Sequence, residues 1–234
     1  MNDAVALIPA RGGSKRISRK NVRPFLGVPA IARVIATLQQ TGVFSRIVVS
    51  TDDSEIAEIS RAAGAEVPGY RPAALSDDYT TTVEVVRHAI GMWLSGLDLQ
   101  TPLWVIYPTA LLLEPETLAA AQDRFGHASC DFLIPVLRYP HPVERRLRVT
   151  PTGILAPDEP TALRSRSQDL VPAFHDAGQF YVGSIRAWTD FAPLVSGRNL
   201  AHELPAGSAV DVDEPSHWTL AENLARGATP DATG

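Results

Sequence analysis

At 234 residues, with 45% hydrophobic and 20% charged side chains, the chain has the size and composition of one globular α/β domain, alone or with a small insertion. A formal net charge of −5 argues against a nucleic-acid binder, which would be basic overall or along an extended stripe. The single cysteine, Cys130, excludes an intrachain disulfide and points to a reducing compartment, and no apolar run approaches the roughly 18 residues of a membrane span.

Ala4–Pro9 reads as a short buried strand, too brief for the apolar core of a secretion signal, so a cytoplasmic protein with no membrane partner is expected. Pro29 opens a helix to about Gln40, with Ile31, Val34, Ile35 and Leu38 on one face. Arg46–Ser50 is a second strand. Asp52 and Glu55 have the N-cap and N3 spacing of a capping box, starting a helix to about Ala63 that Gly64 ends. A helix over Thr81–Leu94, a strand over Leu103–Tyr107, a helix over Pro115–Phe125 and a strand over Phe132–Leu137 follow. Gln179–Val182 and Ser208–Val212 read as later strands, and a helix runs from about Pro215 to Ala225.

Alternation of strand and helix through short turns predicts one α/β domain over residues 1–228, with a mostly parallel sheet and helices on both faces. Residues 139–176 break the rhythm: Tyr139–Phe174 contain six prolines and few periodic segments. They read as an arm that covers a site or packs on a second subunit, which makes a homodimer the expected assembly. Residues 229–234 are expected to form a disordered tail.

The charge is unevenly spread. Eight Lys/Arg precede Asp52 against one acid, Asp3, so residues 1–51 carry +7 and the remainder −12. Five of these cations fall in Ile8–Asn21, "IPARGGSKRISRKN", which also holds the chain's only two lysines, Lys15 and Lys20. This loop leaves the first strand at its carboxyl end, where open α/β sheets collect ligands. Gly12 and Gly13 permit close backbone approach, and successive free N–H groups there can form an anion-binding concavity. Ser14 adds a hydroxyl; Arg11 can fork onto two phosphate oxygens, while Lys15 and Lys20 act as point charges. Neither a Walker loop nor the Gly-x-Gly-x-x-Gly fingerprint is present. A small polyphosphate is the anion that fits.

The same segment resembles the signature of the cytidylyltransferases that activate nine-carbon sialic-acid-like sugars. The resemblance continues through "VSTDD" (Val49–Asp53), "RPAALSDD" (Arg71–Asp78) and "DVD" (Asp211–Asp213), in family order over nearly the whole chain. It implies a Rossmann-like nucleotidyltransferase domain whose first loop holds the CTP phosphates. Phosphate roles then fall to Arg11, Ser14, Lys15 and Lys20, and a nucleotide contact to Asn21. By the same analogy Arg71 and Thr80–Thr82, with Thr80 and Thr82 as the contacts, line the cytosine pocket.

Asp211 and Asp213 lie two apart on the expected strand, so both carboxylates face one side while Val212 packs on the other. Mg²⁺ suits such a pair, because it takes one or two carboxylates and completes its shell with water and phosphate oxygens. The resemblance gives these two aspartates the metal role. Asp52 is explained by helix capping alone, and Asp77 and Asp78 read as exposed loop acids.

"RSRSQDLVPAFHDAGQFYVG" (Arg164–Gly183) is rich in side chains that can read a polyol. Arg166 or Arg164 would meet a sugar carboxylate, and Gln168, His175, Asp176, Gln179 and Tyr181 are further sugar candidates, although His175 has an equally good structural reading. This block resembles the pseudaminic acid cytidylyltransferases in particular. Tyr107 and Thr109 open "YPTALLL" (Tyr107–Leu113), whose apolar surface beyond Thr109 suits a methyl-terminated sugar. Two departures from the family stand out: no proline at 111 or 112, and Glu214 and His217 where Thr and an acid are usual.

The expected reaction is transfer of CMP from CTP to the anomeric hydroxyl of a 2-keto nonulosonic acid, most directly pseudaminic acid, releasing pyrophosphate. Lys15 would stabilise the leaving group. Asp211, or a water on the metal, would assist removal of the hydroxyl proton, and the sequence leaves that choice open. Rival readings are a neuraminate or legionaminate enzyme and a non-catalytic nucleotide- or sugar-binding module.

Overall fold

The structure, a computed structural model, describes residues 4–195 and 197–227. Strand β1 (Ala4–Pro9) shows why the fold has two helical layers. Ala4, Ala6 and Ile8 enter one apolar core and Val5 and Leu7 another, so alternate side chains of a wholly apolar strand are buried on opposite faces. After it come the two-residue strands β2 (Pro24–Phe25) and β3 (Val28–Pro29), then α1 (Ala30–Thr41), β4 (Phe44–Ser50), α2 (Ser54–Ala62) and α3 (Thr82–Trp93). Next are β5 (Pro102–Ile106), α4 (Pro115–Gly126) and β6 (Phe132–Arg138). The excursion holds β7 (Leu147–Val149) and β8 (Leu155–Pro157). β9 (Phe174–Asp176), β10 (Phe180–Ser184), α5 (Ile185–Asp190), β11 (Asn199–Glu203) and α6 (Pro215–Ala225) complete the order.

The main sheet runs β11-β6-β10-β5-β1-β4, with β9 pairing beside β6. β4, β1 and β5 are mutually parallel, and β11 is parallel to β6. β10 lies antiparallel between β5 and β6. Helices α1, α2 and α4 cover one face through residues such as Ile35, Ile56 and Leu118. α3 and α5 cover the other, where Val86, Ala89 and Trp188 pack. A third cluster seats α6 on the loop after β1, bringing Trp218 against Ile17, Phe25 and Val212. The expected α/β architecture with a mostly parallel sheet is therefore present. No helix among the described residues is long and apolar enough to cross a membrane.

Three expectations are corrected. The cap of α2 is Asp53, whose side chain accepts from the Ile56 N–H at 3.0 Å; Asp52 turns instead to the loop after β1. Ser208–Val212 is not a strand. Its backbone is held by side chains rather than by a ladder: the Val210 carbonyl accepts from Gln179 Nε2 at 3.3 Å and the Val212 carbonyl from Lys20 Nζ at 2.7 Å. The neighbouring edge strand is instead β11, whose polar residues Asn199, His202 and Glu203 hid it from an apolar-pattern search. Gln179 also lies just outside β10, and its amide is turned into the protein.

Residues 139–176 form a β7–β8 hairpin, short 3-10 turns and β9, which returns antiparallel along β6 with His175 opposite Leu137. The expected tail, 229–234, lies outside the described residues.

Candidate active site

Two cavities open at the carboxyl ends of β1 and β5. The first, of about 260 Å³, is lined by Arg11, Ser14, Lys15, Arg16, Lys20 and Asn21 from the loop after β1. Arg71, Asp77, Asp78, Thr80 and Thr82 face them, and Tyr107, Thr109 and Asp213 close one end. The second, of about 290 Å³, is lined by Lys20, Tyr107, Thr109, Asp176, Gly178, Tyr181, Asp211 and Asp213. Lys20, Tyr107, Thr109 and Asp213 belong to both, so a cation-rich chamber and a carboxylate-rich one share a wall.

The basic loop is anchored by its own acids. Gly12 N–H donates to Asp52 Oδ1 at 3.0 Å, and a Cβ on Gly12 would sit 2.6 Å from Asp53 Oδ2, so only glycine fits this approach. Arg19 takes the left-handed φ of 54° and ties to Asp53 at 2.5 Å and to Glu55, which holds the Asp53 carboxyl below its ordinary pKa. Asn21 is 5% exposed, and its Nδ2 donates to the Arg11 carbonyl at 2.9 Å, closing the loop on itself. Gly12 and Gly13 thus shape the loop without lining the cavity, and the Gly12 N–H is engaged by Asp52.

Arg71 is buried beneath the first cavity, reaching the Ser50 carbonyl at 3.4 Å and Ser76 Oγ at 3.2 Å, with Asp52 3.8 Å away. Burial lowers its pKa, and Asp52 opposes that shift. The Asp77 carboxylate is occupied by its own turn, accepting from the N–H groups of Tyr79 and Thr80 and from the Thr80 hydroxyl. Thr82 Oγ1 lies 3.3 Å from the Tyr107 hydroxyl, which joins this side to the shared wall.

At the shared wall, Lys20 Nζ is 3.6 Å from Asp213 Oδ1, and Arg16 Nη2 is 3.0 Å from the same oxygen. Burial lowers the Lys20 pKa while Asp213 and Asp211 pull it back up. Asp211 reaches the open second cavity, yet desolvation on its protein side, and then the Asp213 charge, raise its pKa. Gly178, at φ 60°, packs against it: a Cβ there would lie 3.1 Å from Asp211 Cγ. Asp176 accepts from the Tyr181 hydroxyl and from the Gly178 N–H at 2.9 Å, which fixes its orientation at the far wall. Burial also raises the pKa of Tyr107 and Tyr181, so both remain hydrogen-bonding phenols.

Among the described residues no group of three or more His, Cys, Asp or Glu is arranged to hold a metal unaided. The Asp211–Asp213 pair suits a divalent ion that takes one or two protein carboxylates and fills its shell from water and phosphate. The expected strand is absent, but both acids still reach the second cavity.

Of the sugar candidates, Tyr107, Thr109, Asp176 and Tyr181 line the second cavity; Arg166, Gln168, His175 and Gln179 do not. Arg166, Gln168 and His175 are exposed on the arm and its return strand. Gln179 is 1% exposed, with Nε2 donating to the carbonyls of Ala177, Gly178 and Val210. Ala110, Leu111 and Leu113 are core residues, so the apolar surface expected of Tyr107–Leu113 faces the interior instead. Sequence reading did not single out Arg16, Asp78 or Gly178. Arg16 stood in the cation cluster, whereas the roles of Asp78 and Gly178 depend on contacts 63 and 33 residues away in sequence, with Lys15 and Asp211. The His217 departure has a local role: its Nδ1 faces the Asp213 N–H at 3.3 Å.

Comparison with known proteins bears on the family and the fold. Residues 5–93 match the cytidylyltransferase family model. The chain is 35% identical over 209 residues to a pseudaminic acid cytidylyltransferase of Campylobacter jejuni subsp. jejuni serotype O:2, covering 89% of this chain and 90% of that one. It is 30% identical to N-acylneuraminate cytidylyltransferase A of Danio rerio, over 93% of this chain and 49% of that one. In fold it is similar to a CMP:2-keto-3-deoxy-manno-octonic acid synthetase complexed with CTP, at a TM-score of 0.69 and 15% identity, covering 96% and 99% of the two chains.

Proposed function

This chain belongs to the cytidylyltransferase family, and from that premise we propose that it transfers CMP from CTP to the anomeric hydroxyl of pseudaminic acid, releasing pyrophosphate. The observation that carries the reading is the shared wall. A cation-lined chamber fit for a triphosphate meets a second chamber at Lys20, Tyr107, Thr109 and Asp213, where the two reactants would touch.

Arg11, Lys15, Arg16 and Lys20 hold the phosphates, and the first three stabilise the charge that develops on the leaving pyrophosphate. Ser14 adds a hydroxyl donor. Arg71, Thr80 and Thr82 surround the base. The sugar sits against Tyr107, Thr109, Asp176 and Tyr181, with its anomeric oxygen toward the α-phosphorus. That oxygen forms the new P–O bond as the bond between the α-phosphorus and the β-bridging oxygen breaks. Its proton passes to the Asp211 carboxylate, which lines the sugar side of the shared wall.

The second chamber carries three carboxylates, Asp176, Asp211 and Asp213, against one cation, Lys20. An acidic sugar would be repelled by that balance unless a further cation came with it. Asp211 and Asp213 would hold a divalent ion such as Mg²⁺, which would supply that positive charge beside the phosphates. The arm of residues 139–176 offers a surface for a second copy, and a cytoplasmic homodimer is the assembly that we propose.

The sugar assignment rests on the 35% identical relative, with the Tyr107 and Tyr181 rings, packed edge to face at 5.9 Å, in the wall of the second cavity. Pyrophosphate release should show kcat/KM for pseudaminic acid at least about tenfold above that for N-acetylneuraminic acid, the low end of discrimination over a methyl-sized difference. Preference for neuraminate or legionaminate would reassign the sugar and leave the transfer reaction standing.

A further inference from the structure

The phosphate cradle already holds an anion of the protein's own. Arg11 Nη1 donates to the Asp77 carbonyl at 2.8 Å and to Asp78 Oδ1 at 2.7 Å, and the Lys15 ammonium pairs with the other oxygen of Asp78. The nearby acids are engaged elsewhere: Asp52 with the Gly12 N–H, Asp53 with Arg19 and the α2 cap, Asp77 with its own turn. The Asp78 carboxylate has no hydrogen-bond or ion-pair partner among the described residues besides Arg11 and Lys15.

We propose that Asp78 is a built-in competitor for the triphosphate, occupying the Arg11–Lys15 cradle in the empty enzyme and retaking it as pyrophosphate departs. The inference rests on the functional reading above and assigns a further residue to the same site. Carboxylate and phosphate oxygens are alternative acceptors for the same donors, so the two cannot both be fully satisfied by one Arg–Lys pair. The contact is built for exchange. The side chain of Lys15 is 80% exposed and that of Asp78 37%, so water can replace either partner, and exposed ion pairs of this kind are weak. The turn that carries Asp78 is also held by the Asp77 side chain, through bonds to Tyr79 and Thr80 that do not involve Asp78, so release of Asp78 leaves those bonds in place.

A ligand entering the cradle must therefore offer more charge than one carboxylate. Pyrophosphate and a nucleoside triphosphate do; cytidine does not. Because the cradle is refilled from within, pyrophosphate is also held less tightly than the cations alone would hold it.

Calorimetric titration of pyrophosphate, CTP and cytidine into wild type, Asp78→Asn and Asp78→Ala, all with Mg²⁺, tests this. Both variants should bind pyrophosphate and CTP about three- to tenfold tighter, the scale of one or two exposed ion pairs, with cytidine affinity unchanged. Thermal melting establishes that each variant is folded, and two substitutions guard against one that is not. Unchanged or weaker pyrophosphate binding in a folded variant would overturn the proposal, making Asp78 a bystander or a support for the cations. A wild type that binds neither CTP nor pyrophosphate would overturn the functional reading itself, and this inference with it.

Discussion

Asp211→Asn and Asp213→Asn should each lower turnover at least about a hundredfold, because each removes a full charge from the proposed metal clamp while keeping nearly the same shape. Asp211→Asn should leave stability unchanged or slightly raised, because desolvation and then the Asp213 charge disfavour the ionised Asp211 carboxylate in the folded protein. Asp213→Asn should lower it by at most about 1 kcal/mol, since the amide gives up the ion pairs with Arg16 and Lys20. A carboxylate with a raised folded pKa destabilises the fold when ionised, and the penalty fades as the pH falls. Melting temperature and pyrophosphate release across a Mg²⁺ titration separate the two effects. A large loss of stability together with activity would mean that the pair is structural, and wild-type rates in both variants would remove the metal assignment.

The second large effect is expected at Lys20. Its ammonium hydrogen-bonds the Val212 carbonyl at 2.7 Å, faces Asp213 and lines both cavities, with its side chain 24% exposed. Lys20→Met removes the charge but keeps much of the stem, and should cost about 1.5–3 kcal/mol in kcat/KM for CTP, or roughly 10- to 150-fold. Lys15→Ala should cost less, because its side chain is 80% exposed and already shared with Asp78. A pH profile adds a second readout. Burial holds the Lys20 pKa below the ordinary lysine value, so activity that needs its charge should decline on the alkaline side earlier than for an exposed lysine. That limb should be absent from Lys20→Met. Equal losses for Lys15→Ala and Lys20→Met would contradict the placement of Lys20 at the junction.

Much of this was legible in the sequence for definite physical reasons. β1, α1, β4, β5, α4 and β6 follow from apolar periodicity and from Gly and Pro punctuation, because their burial is decided locally. The loop after β1 could be recognised because its charges and glycines are contiguous. What escaped depended on distant partners. Asp52 and Asp53 are equally good caps in sequence, and the close approach of Gly12 to both decides between them. Ser208–Val212 alternates like a strand, yet Lys20 and Gln179, at 192 and 31 residues' separation from their Val212 and Val210 acceptors, take its carbonyls. Gln179 resembled a sugar ligand because it is polar beside Tyr181, and its burial comes from the turn that precedes β10. Asp78 looked like an ordinary exposed acid, since its partners Arg11 and Lys15 lie more than 60 residues upstream.

The most direct test of the whole account is the stoichiometry of one reaction. Purified protein with CTP, Mg²⁺ and pseudaminic acid should yield one CMP-linked sugar, detected by mass spectrometry, for each pyrophosphate released, and neither product when the sugar is omitted. CTP that binds but stays intact with pseudaminic, neuraminic and legionaminic acids would contradict the account and leave a nucleotide-binding module in its place.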